Sequence, residues 1–314
     1  MILYDSGPGN DRLIMMGNNE LLDGLARAKL WISDGTFKVV PSIFFQLYTI
    51  HFELVPGINP AGIYCLVQNK TRVVYDRIMN EVKRMIPLAA PERILLDFES
   101  AAISVYKTAF PNATVVGCYF HLTQSVIRKV NEIGMKVDYE SDDTLRTAVR
   151  CLPALAMVPS ADVTDAFLTL ADSMLDHDKM PELLSYFEHT YIRGRRRPGR
   201  GERYGPAIFP IEGWNHFETA CEGLARTTNS VEGWHFGLQA LFQCHHPTLW
   251  TFMKGLEKDM QMQRTSFLQG ISGSQPSVPK RYQRLKQRVQ NAVARYSLSD
   301  ILVYLRGIAH LSYN

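Results

Sequence analysis

Cysteine is scarce in this chain: five in 314 residues, an odd number, widely scattered, with no Cys-x-x-Cys pair. That argues against a disulfide framework and for a reducing compartment. Long apolar runs are missing too, since none approaches the roughly 20 residues that a membrane span needs. The opening MILYDSGPGN has no basic flank followed by an apolar core, so a secretory signal is not expected there. Neither charge sign is in excess. The 34 Lys and Arg against 31 Asp and Glu leave a net charge of +3, too small a sum to establish a polyanionic partner. No internal repeat is visible. What remains is an ordinary globular composition, long enough for one large domain or two, with an intracellular protein and no membrane association as the expectation.

The stretch from Pro91 to His121 organises the rest. Ile94, Leu95 and Leu96 form a short apolar run ending on Asp97, which fits a buried strand with an acid at its tip. An ionised carboxylate there is costly unless something pairs it, and a metal ion is one such partner. Ala101, Ala102, Val105 and Tyr106 follow at helical spacing. Thr114 to Val116 gives another strand, and Gly117 opens Cys118-x-x-His121.

Upstream, Met1 to about Ala26 is mixed, with a Gly7-Pro8-Gly9-Asn10 loop. Leu30 to Ile32 reads as a strand ended by Asp34-Gly35. Ile43 to Leu54 reads as a central strand, rich in aromatic and β-branched residues, and Gly62 to Val67 as a third. Thr71 caps a helix to about Met85. The order β-β-β-α-β-α-β allows the first and fourth strands to lie side by side and parallel, which would bring Asp34 and Asp97 together. From Leu122 to Thr190 the pattern is helical. Arg193 to Arg203 is a basic loop, Asn229 caps a strong helix through Val231, Trp234, Leu238 and Leu241, and Pro247 starts another. The expected organisation is 1–27 as an N-terminal extension, 28–121 as the first part of an α/β core, and 122–208 as a helical insertion with the basic loop. Residues 209–268 would complete the core, and 269–314 would be a linker with helices.

These residues resemble a family. Asp34-Gly35-Thr36-Phe37, Leu96-Asp97-Phe98-Glu99 and Gly117-Cys118-Tyr119-Phe120-His121 are similar to motifs of Mutator-like element (MULE) transposases. So are Phe209-Pro210-Ile211-Glu212-x-Trp214-Asn215 and the segment Arg226 to His235, followed by Cys244-His245-His246-Pro247-Thr248. The match runs in the family's order from Ala28 to Met260. Thr228 stands where the family usually has the first Asn of a pair. The resemblance implies an RNase H-like α+β fold, a mixed sheet with an all-helical insertion before the last acid. It also implies a DDE triad of Asp34, Asp97 and Glu232 holding two Mg²⁺ or Mn²⁺ ions. Three carboxylates converge in such sites because two divalent ions about 3.5–4 Å apart share oxygen ligands, and Mg²⁺ keeps water for the substrate. The implied activity is DNA cleavage and strand transfer, in the nucleus, on transposon ends and target DNA, with a dimer or multimer expected. Members usually carry an N-terminal zinc-finger module, and no Cys/His cluster precedes Asp34 here. That motivates a second reading, a domesticated, non-catalytic DNA-binding or interaction protein. A nuclease acting on RNA or single strands is a third.

Each residue has a plainer reading beside the functional one. Asp34-Gly35 is also a common turn pair. Asp97 and Glu232 could be acids complementing helix dipoles, with Glu99 and Glu212 as runner-up acids. Cys118 and His121 fit a buried pair, accessory groups beside the active site together with Asn229, or part of a structural zinc site completed by His216 and Cys221 or by Cys244 and His245. Arg193, Arg195, Arg196, Arg197, Arg200 and Arg203 face only Glu202 in charge. They fit either a solvated loop or a contact to the DNA backbone. Trp234, Trp250 and Phe252 read as core.

Overall fold

The computed structural model describes residues 2–9, 11–174, 177–196, 204–274 and 280–312. The chain opens with β1 (Ile2–Asp5), β2 (Leu13–Gly17), α1 (Asn19–Arg27), β3 (Leu30–Thr36), β4 (Gln46–Glu53) and β5 (Ala61–Val67). Then come α2 (Arg72–Met85), β6 (Arg93–Leu96), α3 (Ser100–Ala109) and β7 (Thr114–Gly117). A helical run follows: α4 (Tyr119–Glu132), α5 (Lys136–Ser141), α6 (Asp143–Ala154), α7 (Val163–Asp172), α8 (Met180–Phe187) and α9 (Phe217–Cys221). The chain ends with α10 (Asn229–Phe242), α11 (Leu249–Ile271), α12 (Lys280–Val293) and α13 (Ile301–Ser312). None of the described helices is long and apolar enough to cross a membrane.

The strands form one mixed sheet in the order β1-β2-β5-β4-β3-β6-β7. β3, β4 and β5 are antiparallel neighbours, and β6 lies parallel to β3, as the strand order predicts. This is the α+β, RNase H-like arrangement that the resemblance implies. Residues 2–27, which look mixed in sequence, supply a hairpin and a helix. β2 pairs antiparallel with β5, and all five of its residues are buried. A strand covered on both faces shows no alternation, so Leu13-Ile14-Met15-Met16 carries no period to read.

Two compact units divide the chain: Met1–Val115 with Thr228–Val278, and Val116–Thr227 with Pro279–Asn314. In the first, alternate residues of each strand feed two apolar layers. Trp31, Tyr48, Ile50, Phe52, Ile63 and Cys65 face α1, α2 and α3. Leu47, Tyr64 and Leu66 face Leu238 and Phe242 of α10 and Phe252, Leu256 and Met260 of α11. Trp31 anchors the first layer, its indole N–H donating to Leu25 O at 3.0 Å and its ring edge-on to Phe110. In the second unit, of the apolar face expected from Val126, Ile127 and Val130, Val126 and Val130 are buried with Leu122 while Ile127 is half-buried, and the faces expected from Leu145, Val149 and Leu152 and from Val163, Phe167 and Leu170 are buried throughout. Leu305 and Ile308 of α13 are buried as well.

Candidate active site

The parallel pairing of β3 with β6 sets the geometry. Leu30 lies opposite Arg93, Trp31 opposite Ile94 and Ile32 opposite Leu95, a constant offset of 63 positions. Asp34 and Asp97 are separated by the same 63 positions. They therefore sit level with each other where β6 ends, on neighbouring strands about 4.8 Å apart. Trp31 points into the layer with α1, α2 and α3, so by alternation Ile32 and Asp34 point to the other face, the one covered by α10. Glu232 is on the first turn of α10.

Asp34 is nearly buried, at 6% exposure. Burial first, and then the charge of Asp97, push its carboxyl up to about 7. The charge of Glu232 adds to this, while the Gly35 N–H, 2.7 Å from Oδ1, pulls the other way. Burial pushes Glu232 up to about 7 as well. The charges of Asp97 and Glu232 thus both act on the buried Asp34, which makes this face the candidate site. Among the described residues no three His, Cys, Asp or Glu side chains draw within ligand distance of one point. The donors are all carboxylate oxygens, the chemistry that suits Mg²⁺ or Mn²⁺ rather than zinc.

Asp34-Gly35 is not a turn. The strand runs on to Thr36, with Gly35 opposite Tyr48 and Thr36 opposite Leu47. Ladder partners on β4 override the local turn preference of the pair. Gly35 has a packing reason as well: a Cβ there would overlap the Gln46 side-chain amide. Asn229 is not the helix cap either. Thr228, fully buried, is the capping residue, and its carbonyl accepts from Val231 N and Glu232 N at 2.8 and 2.9 Å. Asn229 is the first, exposed residue of α10.

Around Asp34 the face is polar, and the sequence reading missed this. Thr49 lies opposite Asp34 and Tyr64 opposite Thr49 across the sheet. Thr49 Oγ1 donates to Asp34 O at 3.3 Å, and His51 Nε2 is 3.1 Å from Thr49 Oγ1. Burial lowers His51 to about 3, with its Asn59 carbonyl contact opposing and the nearby His235 adding to the fall. His235, one turn after Glu232, brings Nδ1 within 3.7 Å of Asp34 Oδ2. Asp259 of α11 is a buried carboxylate that accepts from Tyr64 OH at 2.8 Å and from Trp234 Nε1 at 3.0 Å. It ties the helix bearing Glu232 to the sheet. A signal existed for it: Phe252, Leu256 and Asp259 recur at i, i+4 and i+7, which puts a charge on the apolar stripe of α11. Trp234 and Phe252 pack inward as expected, but Trp250 is 78% exposed, a correction to its reading as core.

Cys118, His121, His216, Cys221, Glu212 and the arginine-rich stretch lie in the second unit, and Glu99, Cys244 and His245 in the first. Cys118 is fully buried and precedes α4; His121 is on its first turn, lowered to about 4 by burial and then by Arg128. His216, also buried, has Nε2 2.9 Å from Gly117 O. Among the described residues no three groups gather as a zinc site requires. Arg193 donates to Glu188 Oε1 at 2.6 Å and stacks its guanidinium 3.7 Å over the Tyr204 ring. Arg195 and Arg196 are exposed, on a segment that pairs with Tyr204 and Gly205. Arg197, Arg200 and Arg203 lie outside the described residues.

A family model described as the MULE transposase domain matches residues 30–125. The match bears out the resemblance carried by the Asp34, Asp97 and Cys118-to-His121 motifs, and it ends before Glu232. No curated protein matches the chain.

Proposed function

We infer that the chain is the catalytic domain of a MULE-type DDE transposase, which cleaves DNA strands and joins them through divalent cations held by Asp34, Asp97 and Glu232. One observation carries the reading: two acids share a register on parallel neighbours, inside the stretch that matches the transposase domain, and a third acid on the covering helix raises the first. Magnesium or manganese ions, when bound, would supply charge neutralisation at the scissile phosphate and activate the attacking oxygen.

The chain's own groups prepare that chemistry. Gly35 N–H fixes Oδ1 of Asp34, and His235 stands beside Oδ2. Asp97 is half-buried at the open end of its strand, accessible to substrate phosphate. The Asp259 contacts hold α10, and with it Glu232, against the sheet. In the second unit, Arg195 and Arg196 are the exposed cations we assign to DNA backbone contact, with Arg193 anchoring the stem of their loop. We carry nuclear residence, action on paired DNA ends and assembly into a dimer or multimer as parts of this same reading.

The test is strand nicking of supercoiled plasmid by the full chain with Mg²⁺ or Mn²⁺. The parent should nick, and Asp34→Asn, Asp97→Asn and Glu232→Gln should each fall to background while still binding DNA. Equal nicking by Asp97→Asn and the parent removes Asp97 from the site. A parent that binds DNA and nicks with neither metal selects the domesticated, non-catalytic reading.

A further inference from the structure

Beside the acids is an aromatic surface that the reading above leaves without a task. Phe37 directly follows β3, three residues beyond Asp34, and Phe45 directly precedes β4. Their rings meet edge to face at 5.3 Å, yet the two residues remain 44% and 46% exposed. With Ser42, His246 and the buried Phe44 they line a shallow groove of about 590 Å³. An extended chain rises about 3.3 Å per residue, so this groove opens roughly 10 Å from Asp34, on the end of the sheet where the acids stand. Two adjacent, half-exposed Phe rings are not the scattered apolar residues of an ordinary surface.

The framing of the groove points to its ligand. His246 is held in left-handed backbone, φ 47°, a conformation that non-glycine residues enter at a cost. That bend brings its N–H to Lys38 O at 3.2 Å and its Nδ1 to 2.9 Å from Val40 O, so the imidazole is fixed against the loop that carries Phe37. The groove's lining is aromatic and polar, Phe37, Phe44 and Phe45 with Ser42 and His246, and holds no carboxylate. An aromatic platform beside carboxylates read as a phosphodiester-processing centre complements a flat, π-faced group on the strand being processed.

We propose that Phe37 and Phe45, with His246 at the rim, form a stacking subsite for an unpaired nucleobase, one or two nucleotides from the phosphate that faces Asp34 and Asp97. The subsite rests on the reading of the acids as a DNA-processing centre, but binding there needs no catalysis. The subsite selects for single-stranded or unstacked DNA at the point of reaction, because a paired base cannot reach a groove wall. Stacking does not distinguish between bases, since every base offers a π-face.

The probe is a single-stranded oligothymidine of about 16 nucleotides carrying one 2-aminopurine, with Ca²⁺ in place of Mg²⁺. The full chain should quench the fluorophore. Phe37→Ala and Phe45→Ala should each weaken binding about tenfold and abolish the quenching, and the conservative Phe37→Tyr and Phe45→Tyr should keep both. These side chains are exposed, so each variant should fold, and a thermal melt unchanged from the parent checks it. Asp97→Asn should quench like the parent while failing to nick, which separates failure of this subsite from failure of the catalytic reading. Parent-like quenching by both alanine variants overturns the proposal. So does unchanged oligonucleotide binding by variants that lose self-association in sedimentation, which would assign the groove to a second copy of the chain.

Discussion

Removing the Asp259 carboxylate offers a quantitative test of how the helix bearing Glu232 is held. Asp259 accepts from Tyr64 OH, from Trp234 Nε1 and, more weakly at 3.3 Å, from Gln263 Nε2. Asp259→Ala leaves the Tyr64 hydroxyl, on a fully buried residue, without its acceptor. The half-buried Trp234 N–H loses the same partner but can recover water. An orphaned buried donor costs about 1–3 kcal/mol, and the cavity adds to that. Against this stands relief of the buried charge itself: burial raises the Asp259 carboxyl, with its three donors opposing. The balance is a loss of about 3 kcal/mol. Urea unfolding of Asp259→Ala, Tyr64→Phe and the double variant measures it. Because the two groups share one hydrogen bond, the cycle should show coupling of about 1–2 kcal/mol. A loss below about 1 kcal/mol for Asp259→Ala, or strict additivity with Tyr64→Phe, would refute the clamp.

Other outcomes follow from the acids and from the strand beside them. The carboxyls of Asp34 and Glu232 are raised from 3.8 and 4.5 to about 7. Their contribution to stability is therefore complete below the free-chain values and is lost as pH rises through about 7. A divalent cation competes with those protons, so Mg²⁺ or Mn²⁺ should raise Tm little near pH 5 and distinctly near pH 8. The cation effect should vanish in Asp34→Asn; equal shifts at both pH values would contradict the assignment. Gly35→Ala should lower stability by about 1–3 kcal/mol through overlap with Gln46. Gly35→Ala/Gln46→Ala should regain more than half of the loss in the same melt, and no recovery would mean the backbone, not the space, is at fault.

Much of this site was legible because it rests on short-range rules. The aromatic and β-branched stretch 43–54 declares a central strand, and an apolar run ending on an acid declares Asp97. The parallel neighbourhood of β3 and β6 is one that the strand order allows. What escaped depends on tertiary partners. The turn preference of Asp34-Gly35 yielded to a ladder with Tyr48 and Leu47. The cap moved from Asn229 to Thr228, whose burial no local pattern announces. Trp250, read as core for its size, stands two and six positions from Phe252 and Leu256, which turns it away from their face of α11, and it is exposed.

The polar groups on the α10 face explain how Asp34 can be buried without an aliphatic enclosure. A carboxylate enclosed by aliphatic side chains would stay protonated and inert, because nothing offsets its desolvation. Here Asp34 is flanked by Gly35 N–H and His235. The next row across the sheet, Thr49, His51 and Tyr64, is bonded into itself and into Asp259. That row is rigid without being apolar, so it holds β4, β5 and α10 in place while leaving the end of β3 able to respond to charge. The half-exposed Asp97 and Glu232 complete the arrangement from the open side. The carboxylates on one face therefore differ: Asp259, saturated with donors, fixes the helix, and Asp34, kept short of donors, carries the raised pKa.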